Sequence, residues 1–163
     1  MHQLEIRHTT ASDQGWIQAL LAAHWGSCLV ISRGRAYHAD KLPGLIATDG
    51  DERLGLLTYS INGAECEIVT FNSVKENRGV GTTLLKAAET VVRSAGCSRL
   101  FLITTNDNTN ALHFYQRQGF VLVALHRNAI ERSRRLKPEI PAVGNYDIPI
   151  RDEIELELQL IAT

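Results

Sequence analysis

ENRGVGTTLL, residues 76–85, sets two glycines two positions apart directly before a run of good helix formers. Glycine costs about 1 kcal/mol relative to alanine inside a helix, and Ser, Thr or Asp is the ordinary choice where a helix begins. Gly79 and Gly81 therefore leave room for something to approach the backbone. The preceding run, ECEIVTFNSV, is β-like. The following one repeats apolar residues at Val80, Leu84, Ala87 or Ala88 and Val91, which is the helical period. A strand-to-helix turn of this kind presents successive N–H groups at a helix N-terminus, where partial positive charge also lies, and phosphate suits such a place. No Lys-Ser/Thr pair follows the second glycine as in a P-loop, and no GxGxxG is present. A plain tight turn is the alternative.

Downstream, RLFLITT is a near-continuous apolar run, as a strand buried on both faces requires. SAGC closes the helix before it, with Gly96 placed as a C-terminal cap. NDNTNALHFYQRQ follows as a second helix stopped by Gly119, and FVLVALH as a further strand. This alternation from Glu65 to His126 predicts parallel pairing in the middle of a sheet. Upstream, LEIRHTT reads as a first strand and Ser12–Trp25 as an amphipathic helix, with Trp16, Leu20 and Ala23 or His24 at helical spacing. GSCLVISRGRAYHADKLPG fits a short helix or strand plus a loop. LIAT, RLGLLTYSI and ECEIVTFNSV, separated by DGDE and NGAE, predict an antiparallel meander. At the far end, RNAIERSRRLK reads as helix, PEIPAVGNYDIP as a loop, and EIELELQL as an alternating edge or hairpin strand. At an exposed edge, its same-face residues Glu153, Glu155, Glu157 and Gln159 would meet solvent and oppose casual association. The expected class is a mixed α/β sheet with its chemistry between the middle strands.

At 163 residues the chain is expected to form one domain, 1–163, with an ordinary core. A net charge of -1 recruits neither nucleic acid nor an acidic membrane surface. The apolar runs are far short of a membrane span, and MHQLEIRHTT carries charges where a signal peptide needs an apolar core. A cytoplasmic protein without nucleic-acid or membrane partners is expected. Cys28, Cys66 and Cys97 fit no zinc spacing and no disulfide framework. The histidines form no HxxxH or HxH pair, so no metal is expected.

Within the second helix, NTNALHFYQRQGF places Asn108, Ala111, Tyr115, Gly119 and Phe120 at fixed offsets. Gly79-x-Gly81 at a strand-to-helix turn, followed by N-x-x-A-x-x-x-Y-x-x-x-G-F, resembles the GNAT family of acyl-CoA-dependent N-acetyltransferases. The likeness covers roughly residues 65–123. It implies a mixed, mostly antiparallel sheet with a splayed parallel central strand pair, flanked by helices, and acetyl-CoA as acyl donor. By that resemblance Asn77, Arg78, Gly79, Val80, Gly81 and Thr82 would cradle the pyrophosphate. Val69, Thr70 and Phe71 would receive the pantetheine arm, one of their N–H groups polarising the thioester carbonyl. Asn108 and Ala111 would adjoin the cofactor, Asn108 having an ordinary helix cap as its other reading. Tyr115 would protonate the departing thiolate, or else be a core aromatic. A phenol and an alkyl thiol both titrate at roughly 9–10, so that transfer is nearly thermoneutral. One residue departs from the family pattern. Arg or Gln is common three positions before the first glycine, and Glu76 would repel a pyrophosphate there, leaving Arg78 or Lys75 to supply the cation.

The attacking amine needs a base. Glu65 and Glu67 are two apart on one strand and so share a face, which Val69 and Phe71 continue. A carboxylate against apolar walls has a raised pKa and is a better base; a solvated or ion-paired carboxylate is the alternative. Glu67 is favoured because it lies nearer the expected thioester. Cys66 lies on the opposite face, which favours direct attack over an acyl-enzyme. Arg33, Arg35 and Tyr37 flank the acceptor cleft in similar proteins and could bind an acidic group there, or else lie at the surface. The basic HRNAIERSRRLK and the loop after it are long enough to cap the acceptor pocket.

The expectation is an N-acetyltransferase that passes an acetyl group from acetyl-CoA to a small-molecule or peptidyl primary amine by direct attack. Glu65 or Glu67 acts as base through water and Tyr115 as acid. The rival is a non-catalytic acyl-CoA-binding sensor or regulatory module of the same fold. EIELELQL could pair across an interface, so a homodimer stays open.

Overall fold

The structure, a computed structural model, describes residues 3–74 and 79–160. In chain order its elements are β1 (Glu5–His8), α1 (Gln14–Trp25), β2 (Leu29–Ser32), β3 (Arg35–His38), β4 (Gly44–Asp49), β5 (Glu52–Asn62) and β6 (Glu65–Ser73). There follow α2 (Val80–Ser94), β7 (Arg99–Thr105), α3 (Thr109–Arg117), β8 (Val121–His126), α4 (Ala129–Leu136) and β9 (Glu153–Gln159). One seven-stranded sheet runs β1-β4-β5-β6-β7-β9-β8, and β2 and β3 form a separate hairpin. Every pairing in the large sheet is antiparallel except β6–β7.

Two apolar cores lie on opposite faces of this sheet. Under α2, Val80, Leu84, Ala88 and Val92 pack with Leu45, Leu57, Leu100 and Leu156. On the other face, Ile17 and Leu21 of α1 pack with Val30 and Tyr37 of the hairpin and with Ile46, Leu56 and Val69. The buried stripe of α1 is thus Ile17 and Leu21, one position on from the spacing expected; Trp16 and Leu20 flank it, and Ala23 and His24 are exposed. The ambiguous segment 26–44 is mostly the β2–β3 hairpin. Arg33 and Gly34 both adopt positive φ at its two-residue turn, the geometry that matches strand twist.

The alternating C-terminal strand is not an edge. β9 inserts between β7 and β8, so the edge is β8, where Val121, Leu122, Val123 and Leu125 are exposed. Ile154 and Leu158 of β9 pack on the core under α2, turning the glutamates to the other face. There Glu153 and Glu155 are buried rather than solvated, because the hairpin turn and Arg99 cover them. The alternation expected for this strand is present, but its polar face is inward.

Candidate active site

The central strand pair is zipped only at one end. Parallel register runs from Glu65 opposite Arg99 to Ile68 opposite Leu102, and there it stops, although β6 continues to Ser73 and β7 to Thr105. The β5–β6 register slips at the same point: Tyr59 faces Ile68 and Thr58 faces Thr70, which leaves Val69 as an extra residue. Such a bulge bends the strand and frees backbone groups from the ladder. It also breaks the side-chain alternation. Val69 joins Glu67 on the α1 face, whereas Phe71 packs with the core under α2, so the expected single face from Glu65 to Phe71 does not persist.

The splay opens a cleft of about 580 Å³. Val69, Thr70 and Phe71 form one wall, Ile103 and Thr104 another, and Gly79–Thr82 with Asn108, Ala111 and Tyr115 complete it. Gly79 holds a left-handed conformation, φ +72°, at the N-cap of α2, and no side chain among the described residues caps that end. The first N–H groups of α2 therefore lack an acceptor within the helix, beside its positive pole. Asn77 and Arg78, expected in this turn, lie outside the described residues, as do Lys75 and Glu76. Asn108 is the N-cap of α3: its Oδ1 accepts from the Ala111 N–H at 3.4 Å, while the side chain still borders the cleft. Tyr115 sits among Phe71, Phe114 and Phe120, with ring centroids 6.0, 5.3 and 5.6 Å away. Burial pushes its phenol well above the ordinary value.

A second cleft, about 510 Å³, opens on the α1 side and shares Trp25, Val69, Ile103, Thr104 and Asn108 with the first. The two cavities meet at the splay. Glu67 lies in the second, 4% exposed, where its carboxylate accepts from Ser32 Oγ at 2.6 Å and from Tyr37 OH at 2.8 Å. Burial, reinforced by the bond to Glu67, pushes the Tyr37 phenol up to about 12, so it remains a donor. Glu153, 2% exposed, lines the same cleft and accepts from the Arg33 backbone N–H. Burial raises its pKa, and the neighbouring Glu67 adds to the rise. Ile130 and Ser133 of α4, with Ile140, Pro141 and Ile150 of the following strap, close the far side.

Other expected site residues lie elsewhere. Glu65 is exposed at the zipped end, 3.7 Å from Arg99 and outside both clefts, because the strand direction carries it away from the splay. Arg33 and Arg35 line neither cleft. The Arg33 guanidinium packs 4.8 Å from the centre of the Phe101 ring, and that of Arg35 packs 5.1 Å from Tyr37's. Only Tyr37 of that trio reaches the interior, through Glu67. Cys66 is fully buried under α2, and burial pushes its thiol up to about 12, which leaves no nucleophilic thiolate at neutral pH. Ser32, Glu153 and Lys137 border the second cleft without having been anticipated. Glu153 carried a signal, the strict alternation of EIELELQL, but one compatible with either face. Ser32 and Lys137 carried none.

A bulged, splayed parallel pair beside a glycine-started helix, in a mostly antiparallel sheet, is the fold of an acetyltransferase. The chain belongs to the acetyltransferase (GNAT) family, whose sequence signature matches residues 12–120. It is 46% identical over 134 residues to an uncharacterised Bacillus subtilis protein, YdhI, covering 82% of this chain and 84% of that one. Among solved structures, it is similar to an IAA acetyltransferase from Bacillus cereus, with TM-score 0.76, 21% identity and coverage of 97% and 100% of the two chains. A GNAT family acetyltransferase from Elizabethkingia anophelis with acetyl-CoA bound is also similar, with TM-score 0.70, 18% identity and coverage of 96% and 98%.

Proposed function

We propose that this protein transfers the acetyl group of acetyl-CoA to a primary amine by direct attack, the two substrates entering from opposite sides of the sheet. The meeting of the two clefts at Val69 and Asn108 carries this reading. In the first cleft, the free N–H groups of Gly79–Thr82 suit the pyrophosphate. The open edges of β6 and β7 beyond Ile68 suit the amides of the pantetheine arm, and an N–H at the bulge suits the thioester oxygen as charge develops on it. The donor's binding in the described residues draws on this backbone; Asn77 and Arg78 remain part of the proposed turn.

In the second cleft, Glu67 takes the amine's proton through water, its orientation set by Ser32 and Tyr37. Glu153, a carboxyl with raised proton affinity beside it, is a second acceptor for that proton. The amine nitrogen attacks the thioester carbon, the carbon–sulfur bond breaks, and Tyr115 donates its phenolic proton to the departing sulfur. Holding both reactants at the junction supplies much of the rate advantage. Glu65, distant from the junction, has no part in it.

The test is thiol release on mixing the protein with acetyl-CoA and a panel of primary amines, with Tyr115→Phe alongside. Turnover in the wild type, slowed by about 100-fold in Tyr115→Phe with acetyl-CoA affinity retained, is the expected result. Tight acetyl-CoA binding with no thiol release from any amine would instead leave a non-catalytic acyl-CoA-binding module.

A further inference from the structure

The second cleft has an unusual charge layout along its length. At one end stand Glu67 and Glu153, both buried. Lys137 lines the same cleft and is itself only 5% exposed. Its ammonium donates to the Trp25 and Leu29 carbonyls, both at 2.6 Å, which leaves one of its three protons uncommitted. Among the described residues, no carboxylate lies within the 4.0 Å of Nζ that an ion pair requires. Glu139, the acid whose field it feels, also lines this cleft from the strap, with its side chain exposed at the mouth. A buried cation bonded to two carbonyls, with its nearest acid beyond ion-pair distance, is costly unless a counter-charge joins it, and desolvation lowers its pKa accordingly.

The hairpin sets the spacing. Lys137 binds at Leu29, the first residue of β2, and Glu67 binds at Ser32, the last. Three residues of strand rise about 10 Å. Aliphatic side chains, Val30, Ile31, Ile103 and Ile130 among them, fill the interval. The strap above is fixed in place: Arg134 donates to the Pro141 carbonyl at 2.7 Å and the Ile150 carbonyl at 2.9 Å, and Asp107 accepts from the Asn145 N–H at 3.0 Å. A fixed strap over a short cleft suits a compact molecule better than a protein chain.

From this we infer that the acceptor is a small amphoteric amine, with its amino group at Glu67 and Glu153 and an anionic group, several bonds away along an aliphatic chain, at Lys137. The inference rests on the second cleft being the acceptor site. An α-amino acid holds its two charges too close together to span the interval, and a simple alkylamine leaves Lys137 without an ion-pair partner. The anionic group is a carboxylate, which accepts the remaining ammonium proton.

Calorimetry on the CoA-loaded protein tests this without requiring turnover. The ligands are 4-aminobutanoate, 5-aminopentanoate and 6-aminohexanoate, each against the alkylamine of equal chain length. The best amino acid is expected to bind about ten-fold tighter than its alkylamine. Lys137→Gln, which keeps two N–H donors for the Trp25 and Leu29 carbonyls, should erase that preference while leaving alkylamine affinity and the melting temperature near wild type. Lys137→Arg should restore it. Equal affinity for the paired ligands, an undiminished preference in Lys137→Gln, or no binding of any amino acid at about 10 mM would overturn the inference. If the preference is present but acetyl-CoA yields no thiol with any amine, the transferase reading fails and the pocket's specificity stands. Brisk transfer to alkylamines with no amino-acid preference would do the reverse.

Discussion

Gly55→Ala probes how closely the sheet must approach the helix that begins the donor cleft. Gly55 lies on β5 beneath the first turn of α2. A β-carbon there would stand 2.7 Å from Val80 Cγ1, 2.9 Å from Leu84 Cδ1 and 3.1 Å from the Asn72 carbonyl oxygen. An ordinary carbon–carbon contact is about 3.5 Å, so the worst of these falls short by about 0.8 Å. Val80 and Leu84 are 1% and 0% exposed, and turning either aside would drive it into neighbouring core side chains. The start of α2 must therefore lift from the sheet. Overpacking of this kind costs about 1–3 kcal/mol, which for a chain of this length lowers Tm by roughly 2–4 °C per kcal/mol. Because the lift falls on Val80 and its neighbours, the same variant should weaken CoA binding by about ten-fold if the N–H groups of Gly79–Thr82 hold the pyrophosphate as proposed. Thermal unfolding followed by circular dichroism and titration of CoA by calorimetry measure the two effects on one sample. A variant with wild-type Tm would refute the packing argument. A destabilised variant with undiminished CoA affinity would refute the link from this contact to the donor site.

Asp13 is fully buried and accepts from Arg7 at 2.8 Å through both carboxylate oxygens, from Arg53 Nε at 2.9 Å and from the Thr10 N–H at 2.7 Å. The Arg7 hydrogen bonds, against the opposing effect of burial, hold its carboxyl far below the usual carboxylate range. Its contribution to stability is present above the unfolded value of about 3.9 and fades as pH falls below it. Asp13→Asn should cost about 3 kcal/mol at pH 7 in denaturant unfolding, since it leaves two guanidinium groups short of an acceptor, and only about 1 kcal/mol less at pH 3, because the folded carboxyl is still ionised there. Glu153 has the opposite sign. Its raised pKa means that the folded state binds the proton more tightly, so it lowers stability as pH rises through and above the unfolded carboxyl value. Glu153→Gln should gain in Tm relative to wild type between pH 4 and 7, and a difference that is flat with pH would count against its buried titration. Tyr37→Phe removes one of the two hydroxyl donors to Glu67. Amine kcat/KM should fall by about ten-fold or more, the scale of a hydrogen bond to a charged group, with the KM for acetyl-CoA unchanged.

The readable features of the sequence were those whose physics is local. Gly79 is needed because its φ of +72° is open to glycine, and that requirement is visible wherever two glycines precede a helical period. Asn108 and Tyr115 sit on one short helix with fixed offsets, so the motif survives without knowledge of the rest of the fold. Glu67 could be singled out as a strand carboxylate, but its partners could not: Ser32 and Tyr37 come from a hairpin of four-residue strands within a segment too short and mixed to declare a period. The face of β9 was equally hidden. EIELELQL has the alternation of any half-buried strand, and only its insertion between β7 and β8 turns Glu153 towards the cleft. The bulge at Val69 has no marker at all, because Val-Thr is good strand sequence. It arises where β6 loses β7 on one side and slips against β5 on the other.

The rise in the Tyr115 phenol's pKa bears on the role of acid proposed for it. In water a phenol and a thiol exchange a proton at little cost, whereas the aromatic surroundings of Tyr115 make its phenolate unfavourable. In the proposed reaction the sulfur of acetyl-CoA would depart beside Tyr115, where the same desolvation would raise its affinity for a proton. Proton transfer between two groups shifted in the same direction stays close to thermoneutral, so burial does not disqualify the acid. It also keeps the phenol protonated across the range in which an amine is free to attack, which leaves the acid in its working form at every pH the base can use. The limiting ionisation on the acid side then belongs to Glu153, whose carboxyl burial pushes up, and to the amine itself. Tyr115→Phe should therefore lower the plateau of the pH–rate profile without moving its acid limb, while Glu153→Gln should move that limb towards lower pH.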